Sequence, residues 1–159
     1  MAILGTRPDN RQIVPFLFVQ NGEAAIDYYQ RAFGAVLLYR SPMPAGNGIF
    51  AQLRIGESVI QVGDEAAVRQ ANTPLSPQTL GGTSVVLERY VDDVDAAFQR
   101  AVDAGGSPTM RPSDTFFGDR YSWVTDPFGH IWGIATVKET LTPDELQKRM
   151  EAAMAAHQH

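Results

Sequence analysis

One order of strand-like and helix-like segments occurs twice in this chain, at a spacing of 72 residues. The spacing superposes Ile13-Val14 on Val85-Val86, Val19 on Val91, Asn21 on Asp93, Ala24-Ala25 on Ala96-Ala97, and 59–62 on 131–134. A spacing of 69 aligns two Gln-Arg-Ala triplets instead, but it breaks the strand and cap matches. Strands are the stricter guide, because a slip of one residue turns every strand side chain to the other face. The sequence therefore predicts a tandem duplication.

The first copy reads as strand, helix and three strands. IVPFLFV is rich in β-forming residues, and Asn21 and Gly34 are suited to begin and end an amphipathic helix of about three turns. AVLLYR, GIFAQLRI and SVIQVG follow as a predicted meander. The stretch from 64 to 81 holds two prolines and many polar residues, so it is interpreted as a linker with one short helical turn.

The second copy repeats this order. SVVLERYV is a predicted strand, Asp92 or Asp93 caps a helix that the Gly105-Gly106 pair ends, and SPTM, RYSWVT and HIWGIAT are three further strands. Thr142 followed by Pro143 and Glu145 is a strong helix-start signal. We predict an α+β fold with βαβββ modules at 12–63 and 82–137, a linker at 64–81 and a C-terminal helix at 141–156.

Composition narrows the classes of function. The 159 residues carry a net charge of -5 without a basic run, which argues against nucleic-acid and membrane partners. No cysteine is present, so thiolate chemistry and disulfides are excluded. The first twelve residues lack the pattern of a signal peptide, and no apolar run is as long as a membrane span, so the expected location is cytoplasmic. Motifs for a serine nucleophile elbow, a phosphate-binding loop or a dinucleotide site are missing from the sequence.

Two stretches carry a family resemblance. AAIDYYQRAFGA in the first helix and DPFGHIWGI in the last hairpin resemble the glyoxalase/bleomycin resistance/dioxygenase (vicinal oxygen chelate) superfamily. GDRYSWVTDPFGHIWGIAT followed by a TPDE helix is similar to its PhnB-like branch. The resemblance implies that the eight strands form a curled mixed sheet around a cavity, and it implies a homodimer.

The resemblance also bears on metal binding. Metal-dependent members place four ligands on the first and last strands of the two modules, and in this chain the matching positions are Val14, Gln61, Val86 and Gly133. Of these only Gln61 has a side chain that can donate an electron pair, whereas a bound divalent ion needs several converging donors. We therefore expect neither a metal nor another cofactor.

Strand alternation gives a list of candidate ligand-binding residues. With the matched positions facing the cavity, the side chains that line it include Phe16, Phe18, Gln61, Glu88 and Tyr90. The result is an aromatic, apolar pocket with few polar groups. Glu88 is the candidate acid or base there, and the alternative is an ion pair with Arg120 or Arg54.

The loop DTFFGDRYS contributes two further candidate ligand-binding residues, Phe117 and Arg120. Phe116 and Phe117 either cover the cavity or fill a dimer contact. Arg120 is suited to bind a carboxylate or phosphonate ligand, unless an Asp119-Arg120 pair fixes the loop to its neighbouring strand.

His130 opens the last strand on the helix-facing side, so we interpret it as a structural residue rather than a metal ligand or a catalyst.

The sequence leaves three candidate functions open. The first is binding of a small aromatic or antibiotic-like ligand in the apolar cavity without a metal. The second is a metal-independent isomerase, lyase or hydrolase that uses Glu88 as acid or base. The third is a metal-dependent dioxygenase or glyoxalase-type lyase, for which Glu88 is a nearby additional donor.

Overall fold

The computed structural model describes residues 13–44, 47–68 and 73–158. It divides into two units, Met1–Gly82 and Thr83–His159. In the first unit the elements are β1 (Phe16–Val19), α1 (Gly22–Phe33), β2 (Val36–Pro42), β3 (Ile49–Ile55), β4 (Ser58–Asp64), α2 (Glu65–Val68) and α3 (Pro77–Leu80). In the second they are β5 (Val86–Tyr90), α4 (Val94–Asp103), β6 (Ser107–Asp114), β7 (Asp119–Thr125), β8 (Ile131–Val137) and α5 (Pro143–Ala156).

The first sheet has the strand order β1-β4-β3-β2, with β1 parallel to β4 and the other pairs antiparallel. Alternate residues are buried, as Leu17 and Val19 show on β1 and Ala51 and Leu53 on β3. Helix α1 contacts β3 and β4 through a buried stripe that includes Tyr29. One face of the first sheet therefore packs against α1, and we call the opposite face its open face.

The second sheet has the equivalent order, β5-β8-β7-β6, with β5 parallel to β8. Its register confirms the predicted repeat, because Phe16 pairs with Gln61 and Glu88, 72 residues later, pairs with Gly133. Helix α4 packs on one face through Phe98 and contacts β6, β7 and β8. The face opposite α4 is the open face of the second sheet.

The helix starts also repeat. The Asn21 side chain accepts a hydrogen bond from the Ala24 amide at 3.0 Å, and the Asp93 side chain accepts one from the Ala96 amide at 3.0 Å. Gly34 ends α1 at φ 65°, a conformation that glycine adopts without a steric penalty. Both side chains satisfy an amide that a helix start leaves without a partner within the helix.

The predicted fold class is confirmed. The chain is α+β, its eight strands lie in two four-stranded mixed sheets of βαβββ topology, and a C-terminal helix follows. That helix begins with a complete capping box between Thr142 and Glu145. Curling of both sheets around one cavity stays a prediction.

Two local expectations differ from the structure. The linker region holds two short helices, α2 and α3, where the sequence indicates one turn. Glu65 explains the order there, because its buried carboxylate accepts hydrogen bonds from the Ser76 hydroxyl at 2.8 Å and the Thr79 hydroxyl at 2.6 Å. The predicted strand SPTM continues to Asp114, and Pro112 is tolerated because β6 lies at the sheet edge, where its pairing is bulged.

The turn between β7 and β8 is organised by Asp126, which is buried. Its carboxylate accepts hydrogen bonds from the Phe128 amide at 2.9 Å, the His130 amide at 3.0 Å and the Trp132 indole at 3.0 Å. Gly129 takes φ 92° in this turn, as the sequence predicts for DPFG. His130 thus holds the hairpin together through its backbone amide, and its carbonyl accepts from the Asp126 amide at 2.8 Å.

The terminal predictions are only partly described. Residues 1–12, on which the interpretation as lacking a signal peptide rests, and His159 lie outside the described residues. Across the part that the structure describes, no helix combines the length and the apolar character needed to cross a membrane.

Candidate functional site

The open face of the first sheet carries a group of four aromatic rings. Phe16 stacks on Phe18 with ring centroids 4.5 Å apart, and Phe50 meets the Phe16 ring edge-on at 5.7 Å. Tyr39 lies 6.3 Å from Phe50 and extends the group toward the sheet edge. Phe16 is 39% exposed and Tyr39 is 53% exposed, so this aromatic surface remains accessible within its unit.

Gln61 supplies the polar group of that face. It pairs across the sheet with Phe16 on one side and Gln52 on the other, and directly paired residues share a face. Gln61 is half-buried. The first sheet therefore brings together three predicted site residues: Phe16, Phe18 and Gln61.

The open face of the second sheet carries a hydrogen-bonded chain of three side chains. The Trp123 indole donates to the Tyr121 hydroxyl at 2.7 Å, and that hydroxyl donates to Oε1 of Glu88 at 2.5 Å. The pKa of Tyr121 is raised, mainly by partial burial and next by the hydrogen bond to Glu88, so the phenol keeps its proton. We call Glu88, Tyr121 and Trp123 the Glu88 network.

Gly133 makes room for the Glu88 network. It lies between Glu88 on β5 and Trp123 on β7 in the sheet. A Cβ atom at this position would lie 2.9 Å from the Tyr121 hydroxyl and 3.1 Å from Cγ of Glu88. The missing side chain is thus what allows Tyr121 to reach the carboxylate.

Tyr90 continues this face toward the edge of β5. It is 60% exposed, and its hydroxyl donates to Asp119 at 3.3 Å. Desolvation, with the nearby Asp119 and Glu88 charges, raises the pKa of Tyr90. A second phenol next to a carboxylate therefore lies on the same face as the Glu88 network.

Phe117 lies beside the Glu88 network in the loop between β6 and β7. Its ring meets the Tyr121 ring nearly edge-on at 6.1 Å and the Phe116 ring at 5.4 Å. The loop is fixed at Gly118, whose carbonyl accepts from the amides of Lys138 at 2.9 Å and Glu139 at 3.0 Å. The second sheet thus brings Glu88, Tyr90 and Phe117 into one region.

Arg120 lies on the helix-facing side instead. Its guanidinium donates to both Asp95 oxygens, at 2.8 and 2.9 Å, and to Asp114 at 3.2 Å. These bonds, led by those to Asp95 and Asp114, raise the pKa of Arg120. The arrangement joins β7 to α4 and β6, and the ion pair proposed between Arg120 and Glu88 does not form. Binding of an anionic ligand by Arg120 stays a prediction.

The residues at the family's metal positions do not suit a metal. Val86 offers no donor atom, Gly133 has no side chain, and the space a ligand would need at Gly133 holds Tyr121. Across the described residues, no group of three or more His, Cys, Asp or Glu side chains converges to hold an ion. A divalent cation needs more converging donors than Gln61 provides.

Sequence reasoning missed four of these aromatic residues: Tyr39, Phe50, Tyr121 and Trp123. They lie on β2, β3 and β7, whereas the predicted lining comes from the first and last strands of each module. RYSWVT alternates a tyrosine and a tryptophan with small residues, which is the pattern of one aromatic face of a strand. That pattern could have located Tyr121 and Trp123 opposite Gly133.

Comparison with known proteins gives a consistent result. Residues 12–134 match the family model described as Glyoxalase/Bleomycin resistance protein/Dioxygenase superfamily. An uncharacterized protein from Mycobacterium bovis, Mb0911c, is 40% identical over 138 residues, which cover 87% of this chain and 91% of that protein.

Solved structures share the fold. TioX from Micromonospora sp. ML1 is 26% identical with a TM-score of 0.62, and the match covers 80% of this chain and 98% of TioX. A glyoxalase/bleomycin resistance protein/dioxygenase family enzyme from Burkholderia phytofirmans PsJN is 23% identical with a TM-score of 0.62, covering 77% of this chain and 94% of that chain.

Proposed function

Because this chain belongs to the Glyoxalase/Bleomycin resistance protein/Dioxygenase superfamily, we propose that it binds a small aromatic or antibiotic-like ligand without a metal ion. The observation that carries this proposal is the aromatic group on the open face of the first sheet. Four rings lie within 6.3 Å of a neighbour there, and Gln61 provides an amide beside them. Ligand sites commonly combine an apolar aromatic lining with a few polar groups.

The physical basis is burial and stacking. Covering exposed aromatic surface contributes about 25 cal/mol per Å². A well-placed ring pair adds about 0.5–1.5 kcal/mol. Phe16 and Tyr39 retain enough exposed surface for a planar ligand to cover, at 39% and 53%. The Gln61 amide can both donate and accept, so it is suited to orient a ligand rather than to supply most of the affinity.

The experiment is a thermal-shift screen of aromatic antibiotics, phosphonates and 2-oxo compounds. A ligand that binds the native state raises the melting temperature by mass action. We expect an aromatic compound to do so and Phe16→Leu to weaken its affinity. Met154→Ala is the matched control, because Met154 is an exposed apolar residue on α5. Absence of any stabilising compound, or equal binding by Phe16→Leu, would contradict the proposal.

The Glu88 network favours a second candidate function, a metal-independent isomerase, lyase or hydrolase. Glu88 is exposed on its sheet face and holds a short hydrogen bond from Tyr121, so a carboxylate and a phenol are available together for proton transfer. Once a ligand is identified, Glu88→Gln separates the candidates. A binding protein keeps most of its affinity for an uncharged ligand, whereas an acid/base enzyme loses turnover.

The remaining expectations are also proposals. The family resemblance suggests a homodimer, which sedimentation equilibrium of the purified chain tests directly. Assignment to the PhnB-like branch and a cytoplasmic location stay predictions. A metal-dependent dioxygenase or lyase activity is not proposed, because the donor set at the family positions does not suit a metal.

A further inference from the structure

The Glu88 network has a fixed direction. An indole N–H can only donate, so Trp123 occupies the Tyr121 oxygen as an acceptor, and the phenol proton then points to Glu88. Within the described residues, Glu88 takes part in no ion pair and its Oε2 receives no hydrogen bond. The network therefore ends in a carboxylate with unused acceptor capacity on an exposed face.

Charge is separated between the two faces of this sheet. Open-face positions on β5, β7 and β8, all of which the structure describes, hold the carboxylates Glu88 and Asp119 and no Lys, Arg or His. The basic residues of these strands, Arg89 and Arg120, lie on the face toward α4. Arg120 is already held there by Asp95 and Asp114. Negative charge on this face is therefore not compensated by a basic residue of β5, β7 or β8, and the basic residue of the edge strand β6 is Arg111.

Aromatic side chains lie on the same face as these carboxylates. Tyr121 and Trp123 are bonded into the network, Phe117 packs edge-on to Tyr121, and Tyr90 bonds to Asp119. Ring faces attract cations through their quadrupole, and sites that combine rings with a carboxylate favour organic ammonium groups. Hydrogen bonds between such a cation and a carboxylate are also stronger than neutral ones.

We propose that the open face of the second sheet binds a protonated amine, with Glu88 as its acceptor and Trp123, Tyr121 and Phe117 as its aromatic surround. The inference goes beyond the proposed function, because it adds an amine-binding site on the second unit that rests on the residues of that unit alone. Tyr121 is a positioning residue that fixes Glu88 and keeps Oε2 for the ligand.

The test uses phenethylamine, with phenethyl alcohol and 3-phenylpropionate as neutral and anionic probes of similar size. The chain has two tryptophans, so its ¹⁵N NMR spectrum has two indole resonances, which Trp123→Phe assigns. Trp132 bonds to buried Asp126 on the other face and serves as an internal control. We expect saturable shifts of the Trp123 resonance, with phenethylamine binding at least about tenfold more tightly than phenethyl alcohol.

Two isosteric variants sharpen this test. Glu88→Gln should reduce phenethylamine affinity about tenfold, to that of the alcohol. Glu151→Gln, which changes an exposed carboxylate on α5, should leave the affinity unchanged. Tyr121→Phe should move the Trp123 resonance without any probe and leave the Trp132 resonance in place, which also shows that the variant is folded.

The inference would be overturned by equal affinity for the amine and the alcohol, or by an amine preference that survives in Glu88→Gln. Absence of a Trp123 shift with phenethylamine would overturn it as well. If screened aromatic compounds still bind through Phe16 in these cases, only the amine assignment is wrong. If no compound binds at all, the proposed function also fails.

Discussion

At the scale of single residues, Gly133 offers no side chain as a metal ligand and leaves the space in which the Glu88 network forms. The family positions on β5 and β8 hold Val86 and Gly133, and the volume that a side chain would occupy at Gly133 is taken by the Tyr121 hydroxyl. Glu88 is directly paired with Gly133 and receives that hydroxyl. A metal ligand at position 133 and the Glu88 network are thus mutually exclusive in this backbone.

Gly133→Ala should therefore destabilise the fold. The new Cβ meets Tyr121 and Glu88 at 2.9 and 3.1 Å, and moving either side chain weakens the network. We expect a loss of about 1–3 kcal/mol, typical of overpacking, measured by urea unfolding. Gly82→Ala is the control, since a Cβ at Gly82 meets nothing within 4 Å. Equal stability of the two variants would show that Tyr121 moves without cost.

At the scale of elements, the linker between the two β sheets is held by one buried carboxylate. The pKa of Glu65 is lowered from 4.5 to about 2. The hydrogen bond from Thr79 is the largest cause, and hydrogen bonds from Leu75 and Ser76 act in the same direction, whereas desolvation opposes them. A lowered folded-state pKa stabilises the fold above the unfolded pKa. That stabilisation is lost as the pH falls from about 4.5 toward 2.

Glu65→Gln should consequently flatten the acid side of the stability profile. At neutral pH we expect the variant to be less stable by about 1–3 kcal/mol, because buried donors lose a charged acceptor. Below about pH 4.5 the difference should shrink, because the unfolded-state carboxyl takes up a proton while the native carboxyl, with its pKa of about 2, stays ionised. Urea unfolding of both proteins from pH 7 to pH 3 measures this. A stability difference that does not change with pH would contradict the assigned cause.

The repeated helix caps give a second prediction at this scale. Asn21→Ala and Asp93→Ala each remove an acceptor for a helix amide at 3.0 Å, and each should cost about 1 kcal/mol in urea unfolding. Exchange of the two cap types, Asn21→Asp and Asp93→Asn, should have little effect, because both residues cap well. A cost confined to one repeat would indicate that the two helix starts are not equivalent.

At the scale of the whole molecule, the sequence predicts the duplication better than it predicts the site. The first and last strands of each copy repeat at 72 residues, but β3 and β7 are related by 71, since Gln52 pairs with Gln61 and Trp123 pairs with Gly133. The last hairpins of the two copies differ in length, because four residues separate the paired Arg54 and Val59 and five residues, DPFGH, separate the paired Thr125 and Ile131. This one-residue difference hides the partner of Gly133 from a single spacing.

The repeat spacing in the sequence also cannot predict which residues the long side chains contact. Alternation separates Arg120 from Glu88 once the β7 register is known, but the contact between Arg120 and Asp95 depends on the position of α4. Bulges in the β2–β3 and β6–β7 pairings likewise shift side chains by one position. Such local irregularities decide which faces Tyr39 and Met110 join.

The last prediction follows from the proposal that the protein binds its ligand without a metal ion. Protein purified without added ions should carry no stoichiometric transition metal by mass spectrometric metal analysis, and EDTA should leave its melting temperature unchanged, since a bound ion would stabilise the native state. His157 and His159 near the C-terminus are candidate adventitious ligands, so a His157→Gln/His159→Gln variant is the control. One tight equivalent per chain in that variant would require donors beyond Gln61 and would restore metal-dependent chemistry as a function.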